Sequence, residues 1–143
     1  MRPARTAMKL TVIGDLLLSV STAGSEDGGV LSDADMKEFL RNLRHAPITK
    51  YVAGMYGTFK SSSVQRKEGS ELVKSRGIAT AVVTDDRIVR GFVTAMSWLG
   101  AKVSAFSWAE REAALKHLGV EGSQAQLALS TFNMFRTALG IEY

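Results

Sequence analysis

A mostly parallel α/β domain is the fold class this sequence predicts, and three observations carry the expectation. The run Ile78-Ala79-Thr80-Ala81-Val82-Val83-Thr84 is uncharged, small and β-branched on both alternating faces, as a strand covered on both sides of a parallel sheet must be. Strand-like and helix-like segments alternate from residue 32 onward, which implies crossover connections with helices laid on a sheet. At 143 residues, the chain fits one domain that buries its own core without covalent staples.

In chain order, residues 1–7 are expected to form a disordered tail. Two β-prone runs follow, residues 8–14 and 15–23, and the Gly14-Asp15 dipeptide between them is a hairpin turn that makes the pair antiparallel and places it at one side of the sheet. After a Gly-rich polar loop over 23–29, Ser32 caps a helix with Asp33 and Asp35 in its first turn, where carboxylates suit the helix dipole. Met36, Phe39, Leu40 and Leu43 give that helix one apolar face, and Ala46-Pro47 ends it. Residues 50–56 read as a strand and Gly57 to Ser63 as the loop leaving it. A helix over 64–76 closes at Gly77, the usual C-terminal residue.

Beyond the strand at 78–84, Asp85-Asp86 leads into a helix over 88–99, with Phe92, Ala95, Met96 and Leu99 on one side and Gly100 at its end. Residues 102–106 form a short last strand. Ser107 then opens a helix as a capping box with Glu110, and Gly119 ends it. A final helix runs from Gly122-Ser123 to about Leu139, with Leu127, Met134, Phe135 and Ala138 available for one apolar face. The resulting division is a tail over 1–7, an α/β domain over 8–119 and a helical extension over 120–143. That extension must pack on its own domain or on a second copy, and a homodimer is expected.

Composition narrows the chemistry. Without cysteine, disulfides, thiolate catalysis and sulfur-ligated metals are excluded. His45 and His117 fall in separate elements, so neither a metal site nor a cofactor is expected. The net charge of +4 arises mainly between Lys60 and Lys102, where Lys60, Arg66, Lys67, Lys74, Arg76, Arg87, Arg90 and Lys102 face Glu68, Glu71, Asp85 and Asp86. No RNA-binding aromatic signature or helix-turn-helix pattern accompanies the surplus, so nucleic acid is not an expected partner. Residues 10–23 are interrupted by Asp15 and fall short of the roughly 20 apolar residues of a membrane span. With no secretory pattern at the start, a cytoplasmic location is expected.

Ligands of open α/β sheets gather at the carboxyl ends of the strands. Here those ends are Gly57 to Ser63, Thr84 to Arg90 and Phe106 to Trp108. Ser61, Ser62 and Ser63 at a helix start, with Lys60 and Arg66 beside them, form a candidate anion or partner site, joined by Asp85, Asp86, Arg87 and Arg90. Helix capping is the competing role for the serines and for the two aspartates. The loop lacks the Gly-Lys-Ser/Thr ending of a P-loop, and no Ser-His-Asp or Gly-x-Ser-x-Gly arrangement occurs, so enzymatic activity is not expected.

The opening hairpin, the entry at Ser61-Ser62-Ser63 and the ending from Val103 to Leu118 together resemble the STAS superfamily, in particular its SpoIIAA-like branch, over roughly residues 8–119. The resemblance implies a non-enzymatic regulatory module that binds a protein partner, as anti-sigma-factor antagonists do. It also implies phosphorylation at the positions of Ser61, Ser62 and Ser63, where added charge would eject the partner. SpoIIAA-like members further resemble lipid-binding domains in fold, so the alternative is a binding protein for a small apolar or anionic ligand.

Overall fold

Two β-prone runs joined by a glycine turn build the hairpin: β1 (Ala7–Ile13) and β2 (Leu16–Thr22) pair antiparallel across Gly14-Asp15, with Val12 opposite Leu17 and Met8 opposite Ser21. β3 (Lys50–Tyr56), β4 (Ala79–Val83) and β5 (Val103–Phe106) then add in parallel, giving the order β1-β2-β3-β4-β5. The chain is therefore a single-domain α/β protein with a mixed sheet. The computed structural model describes residues 5–57, 59 and 63–141, the side chains of 63–66 excepted.

The strand order never reverses, and this decides where the helices go. α1 (Asp33–His45), α2 (Ser63–Ser75) and α3 (Arg87–Trp98) are crossovers that advance in one direction, so right-handed connection lays all three on the same face. After β5, a 3-10 turn (Trp108–Glu110), α4 (Arg111–His117) and α5 (Gly122–Ala138) cover the opposite face. The caps read from sequence are present: the Ser32 hydroxyl accepts the Asp35 amide, and the Asp86 carboxylate accepts those of Ile88 and Val89. Glu110 accepts both the amide and the hydroxyl of Ser107.

On the α4/α5 face the core is filled. Leu16, Leu18, Val20, Val52, Ala81 and Val83 meet Leu115, Leu118 and Phe132, all nearly or fully buried. Trp108 completes the layer, stacked on Tyr56 at 4.2 Å and edge-on to Phe132 at 5.7 Å, with its indole N–H donated to the Met55 carbonyl at 3.0 Å. It lies directly over Gly54, where a Cβ would fall 2.5 Å from its ring.

α5 takes the first of its two expected places, on its own domain, and what differs is the face it uses. It packs on β1, β2 and α4, and its buried line is Ala128, Thr131, Phe132 and Arg136, while Leu127 and Met134 of the expected face are exposed. A hydropathy count missed this because two of the buried residues are polar. Thr131 satisfies its hydroxyl on the Leu127 carbonyl, and the Arg136 guanidinium lies over the Tyr56 and Trp108 rings. The tail also ends earlier than expected: Thr6 is buried, its amide and hydroxyl both donating to the Asp27 carboxylate at 2.6 Å.

Because the indole leaves no room above Gly54, Gly54→Ala is expected to cost about 1–3 kcal/mol of stability in urea unfolding. An unchanged unfolding midpoint would contradict this packing.

Candidate functional site: an apolar cleft beneath the crossover helices

The pleat gives the second face of the sheet the residues that alternate with the filled core. Ser21, Tyr51, Ala53, Thr80 and Val82 point this way, and most are small. Above them α1 lies along α2 and α3 along β5, while α2 and α3 make at most marginal contact with each other. The result is an open-sided cleft of about 280 Å³ between α2, α3 and the sheet. Met36 and Phe39 of α1, Gly69, Ser70 and Val73 of α2, and Val89, Phe92, Val93 and Met96 of α3 form its walls, with Phe59, Gly29 and Leu31 contributed by loops.

Its polarity is low. Among the described residues no carboxylate, amine, guanidinium or imidazole lines the cleft. Tyr51, the one titratable group there, shares a hydrogen bond of 2.8 Å with the Ser19 hydroxyl. Burial pushes its phenol up to about 12, against the smaller opposing effect of that bond, so it stays neutral at physiological pH. Such walls can hold apolar matter and orient one hydroxyl. They offer no acid or base poised near neutrality.

One border of the cleft is tied to the N-terminus. Asp27 takes the Thr6 amide and hydroxyl and, at 3.1 Å, the Gly29 amide, while Gly24 donates to the Thr6 hydroxyl oxygen at 2.8 Å. Gly24 lies so close to the Arg5–Thr6 backbone that a Cβ would sit 2.4 Å from it. This knot fixes the loop that carries Gly29 and Leu31 to the rim.

Of the residues picked from sequence, Lys60, Ser61 and Ser62 lie outside the described residues, and of Ser63 and Arg66 only the helical backbone at the start of α2 is described. Asp85 accepts the Trp108 amide at 3.1 Å, Asp86 caps α3, and Arg87 and Arg90 are exposed on α3. These are strand-end and helix-start positions. The cleft lies instead within the layer between sheet and helices, because an order without reversal has no switch-point crevice. The missed signal was the alternation of small residues across neighbouring strands, which becomes readable only with the register. No group of three or more metal-ligating side chains converges among the described residues. No family model matches the sequence, and no curated protein matches it.

The Thr6 bonds, side chain first and then backbone, hold the Asp27 carboxyl below its ordinary 3.8. A depressed carboxylate contributes stability that is present above 3.8 and is lost as pH falls through the folded value. The Thr6 amide resonance should therefore move toward its unbonded position with a midpoint below 3.8, and Asp27→Asn should abolish that titration. A midpoint at or above 3.8 counts against the knot.

Proposed function

We propose that this protein is a non-enzymatic binding protein for a small apolar ligand held in the cleft between α2, α3 and the sheet. The observation that carries the reading is a largely apolar cavity of about 280 Å³ with no charged side chain among its described lining residues, near the lower edge of the roughly 300–1,000 Å³ of small-molecule sites. A domain that fills one sheet face to contact while leaving such a space on the other forgoes packing energy there, which a ligand would restore. An acyl chain or a fused-ring hydrocarbon carrying one hydroxyl or carbonyl suits these walls, with Tyr51, itself bonded to the buried Ser19, as a hydrogen-bonding group of the lining. The hairpin followed by parallel strand-helix units supports the STAS-like resemblance and its lipid-binding alternative. The regulatory, partner-binding reading depends on the side chains of Ser61, Ser62 and Ser63, which lie outside those described.

The test is displacement of a fluorescent fatty acid, together with mass spectrometry of organic extracts of the purified protein. Ala53→Phe projects a ring into the cleft from a buried position on the sheet face opposite Trp108. It should leave the chain folded, with one cooperative melt, and weaken probe binding by about tenfold or more, roughly 1.4 kcal/mol. Equal probe affinity in wild type and variant would remove the cleft as the site.

A further inference from the structure

α3 is apolar around far more of its circumference than the sheet covers. Val89, Val93 and Met96 face inward, and Phe92 stands at the rim, lining the cleft while 47% exposed. Continuing outward on the same helix, Ile88 and Trp98 are 72% and 83% exposed, and Leu99 just after it 77%. At 100° per residue, Ile88, Phe92, Ala95 and Leu99 fall in one stripe with Trp98 at its edge, so the apolar arc spans roughly 200° of the helix.

The charges that flank this stripe along the chain are cationic at both ends: Arg87 opens the helix beside Ile88, and Lys102 follows Trp98 and Leu99. From Arg87 to Ala109 the chain has no carboxylate at all. Across the cleft, α2 turns Glu68 and Leu72 toward α1, which leaves Lys67 and Lys74, with Glu71, on its outer side. The nearby acids keep their charge but lie off the stripe, at a strand end and at helix or turn starts: Asp85 accepts the Trp108 amide, Asp86 the first amides of α3, and Glu110 the Ser107 amide.

From this we propose that the α3 stripe docks the protein on an anionic lipid bilayer, laying the cleft mouth against the membrane surface. An exposed Trp beside aliphatic side chains, flanked by cations, matches the headgroup boundary, where an indole keeps its N–H in the wet layer and its rings in the apolar one. A second copy of the chain fits less well. A two-fold contact through α3 would offer no acid on the helix to pair with Arg87 or Arg90, and a helix about 18 Å long offers far less than the roughly 800 Å² per partner of a stable interface. The continuity from stripe to cleft gives an apolar ligand a path from bilayer to binding site. That path rests on the ligand-binding reading; the docking itself does not.

The experiment is flotation of the full chain with vesicles of phosphatidylcholine alone or with phosphatidylglycerol added. The expected result is binding to the anionic vesicles that falls with added salt, and a blue shift of Trp98 emission that Trp98→Phe removes, Trp108 being already buried. Substituting Ile88, Trp98 and Leu99 together by Ser should cut vesicle binding by about tenfold or more while leaving cleft binding of the fluorescent fatty acid in solution intact, since none of the three lines the cleft. Failure of wild type to float with anionic vesicles overturns the docking, whatever the probe shows. So does a concentration-dependent dimer that the same triple substitution dissolves, which would assign the stripe to a second copy. Loss of probe binding in Ala53→Phe with vesicle binding retained separates the cleft from the stripe.

Discussion

Trp108 seated over Gly54 is the contact on which the arrangement of both sheet faces depends. The indole needs a strand position with no side chain, and β3 supplies one between Ala53 and Met55. From there the ring reaches Tyr56, Phe132 and the Met55 carbonyl, while its backbone amide ties the start of the 3-10 turn to Asp85 beyond β4. One residue thus joins β3, the end of β4, the turn before α4, and α5. With α4 and α5 anchored in this way, the hydrophobic gain of folding is concentrated on one side, and aromatic packing adds roughly 0.5–1.5 kcal/mol per pair beyond area burial. The opposite side is relieved of the need to be filled completely.

That asymmetry connects topology to the cleft. Three crossovers advancing in one direction put three helices above the same face, where they must span a five-stranded twisted sheet. α1 is held to α2, an arrangement supported by the exposed Arg44–Glu68 pair and by Leu43 and Leu72 in one cluster, and α3 is held to β5. Among the described residues, nothing comparable joins α2 to α3. A gap therefore opens over β3 and β4, where the floor residues Ala53 and Thr80 are too short to close it. Larger side chains at those two positions would have filled the same backbone.

Much of this was legible in the sequence. Hairpin, strands, helix boundaries and caps followed from local chemistry, because Gly14-Asp15, Ser32, Asp86 and the Ser107-Glu110 pair act within a few residues of themselves. What escaped depended on distant partners. Arg136 is buried because two aromatic rings, one of them on β3, await its guanidinium, and no helical wheel contains that information. Thr6 is ordered because Asp27 takes both of its donors across the hairpin's far end. The cleft belongs to the same class: the run over 78–84 reads as uniformly apolar, and only pairing with β3 shows that Thr80 and Val82 share a face with Tyr51 and Ala53.

The exposed stripe of α3 follows from the same geometry. A helix that covers only the edge of a sheet, beside β5, needs an apolar arc no wider than its contact, and Val93 with its neighbours at Val89 and Met96 satisfies that need. Ile88, Trp98 and Leu99 add nothing to folding stability while exposed and leave a large apolar surface in water. Solubility would favour polar residues at those positions, and the chain does use Thr94 and Ser97 elsewhere on the helix, their hydroxyls turned to its own carbonyls. The apolar residues are concentrated on the side that runs into the cleft mouth. Their placement does not follow from the packing of α3, whereas that of Val89, Val93 and Met96, turned to the sheet and the cleft, does.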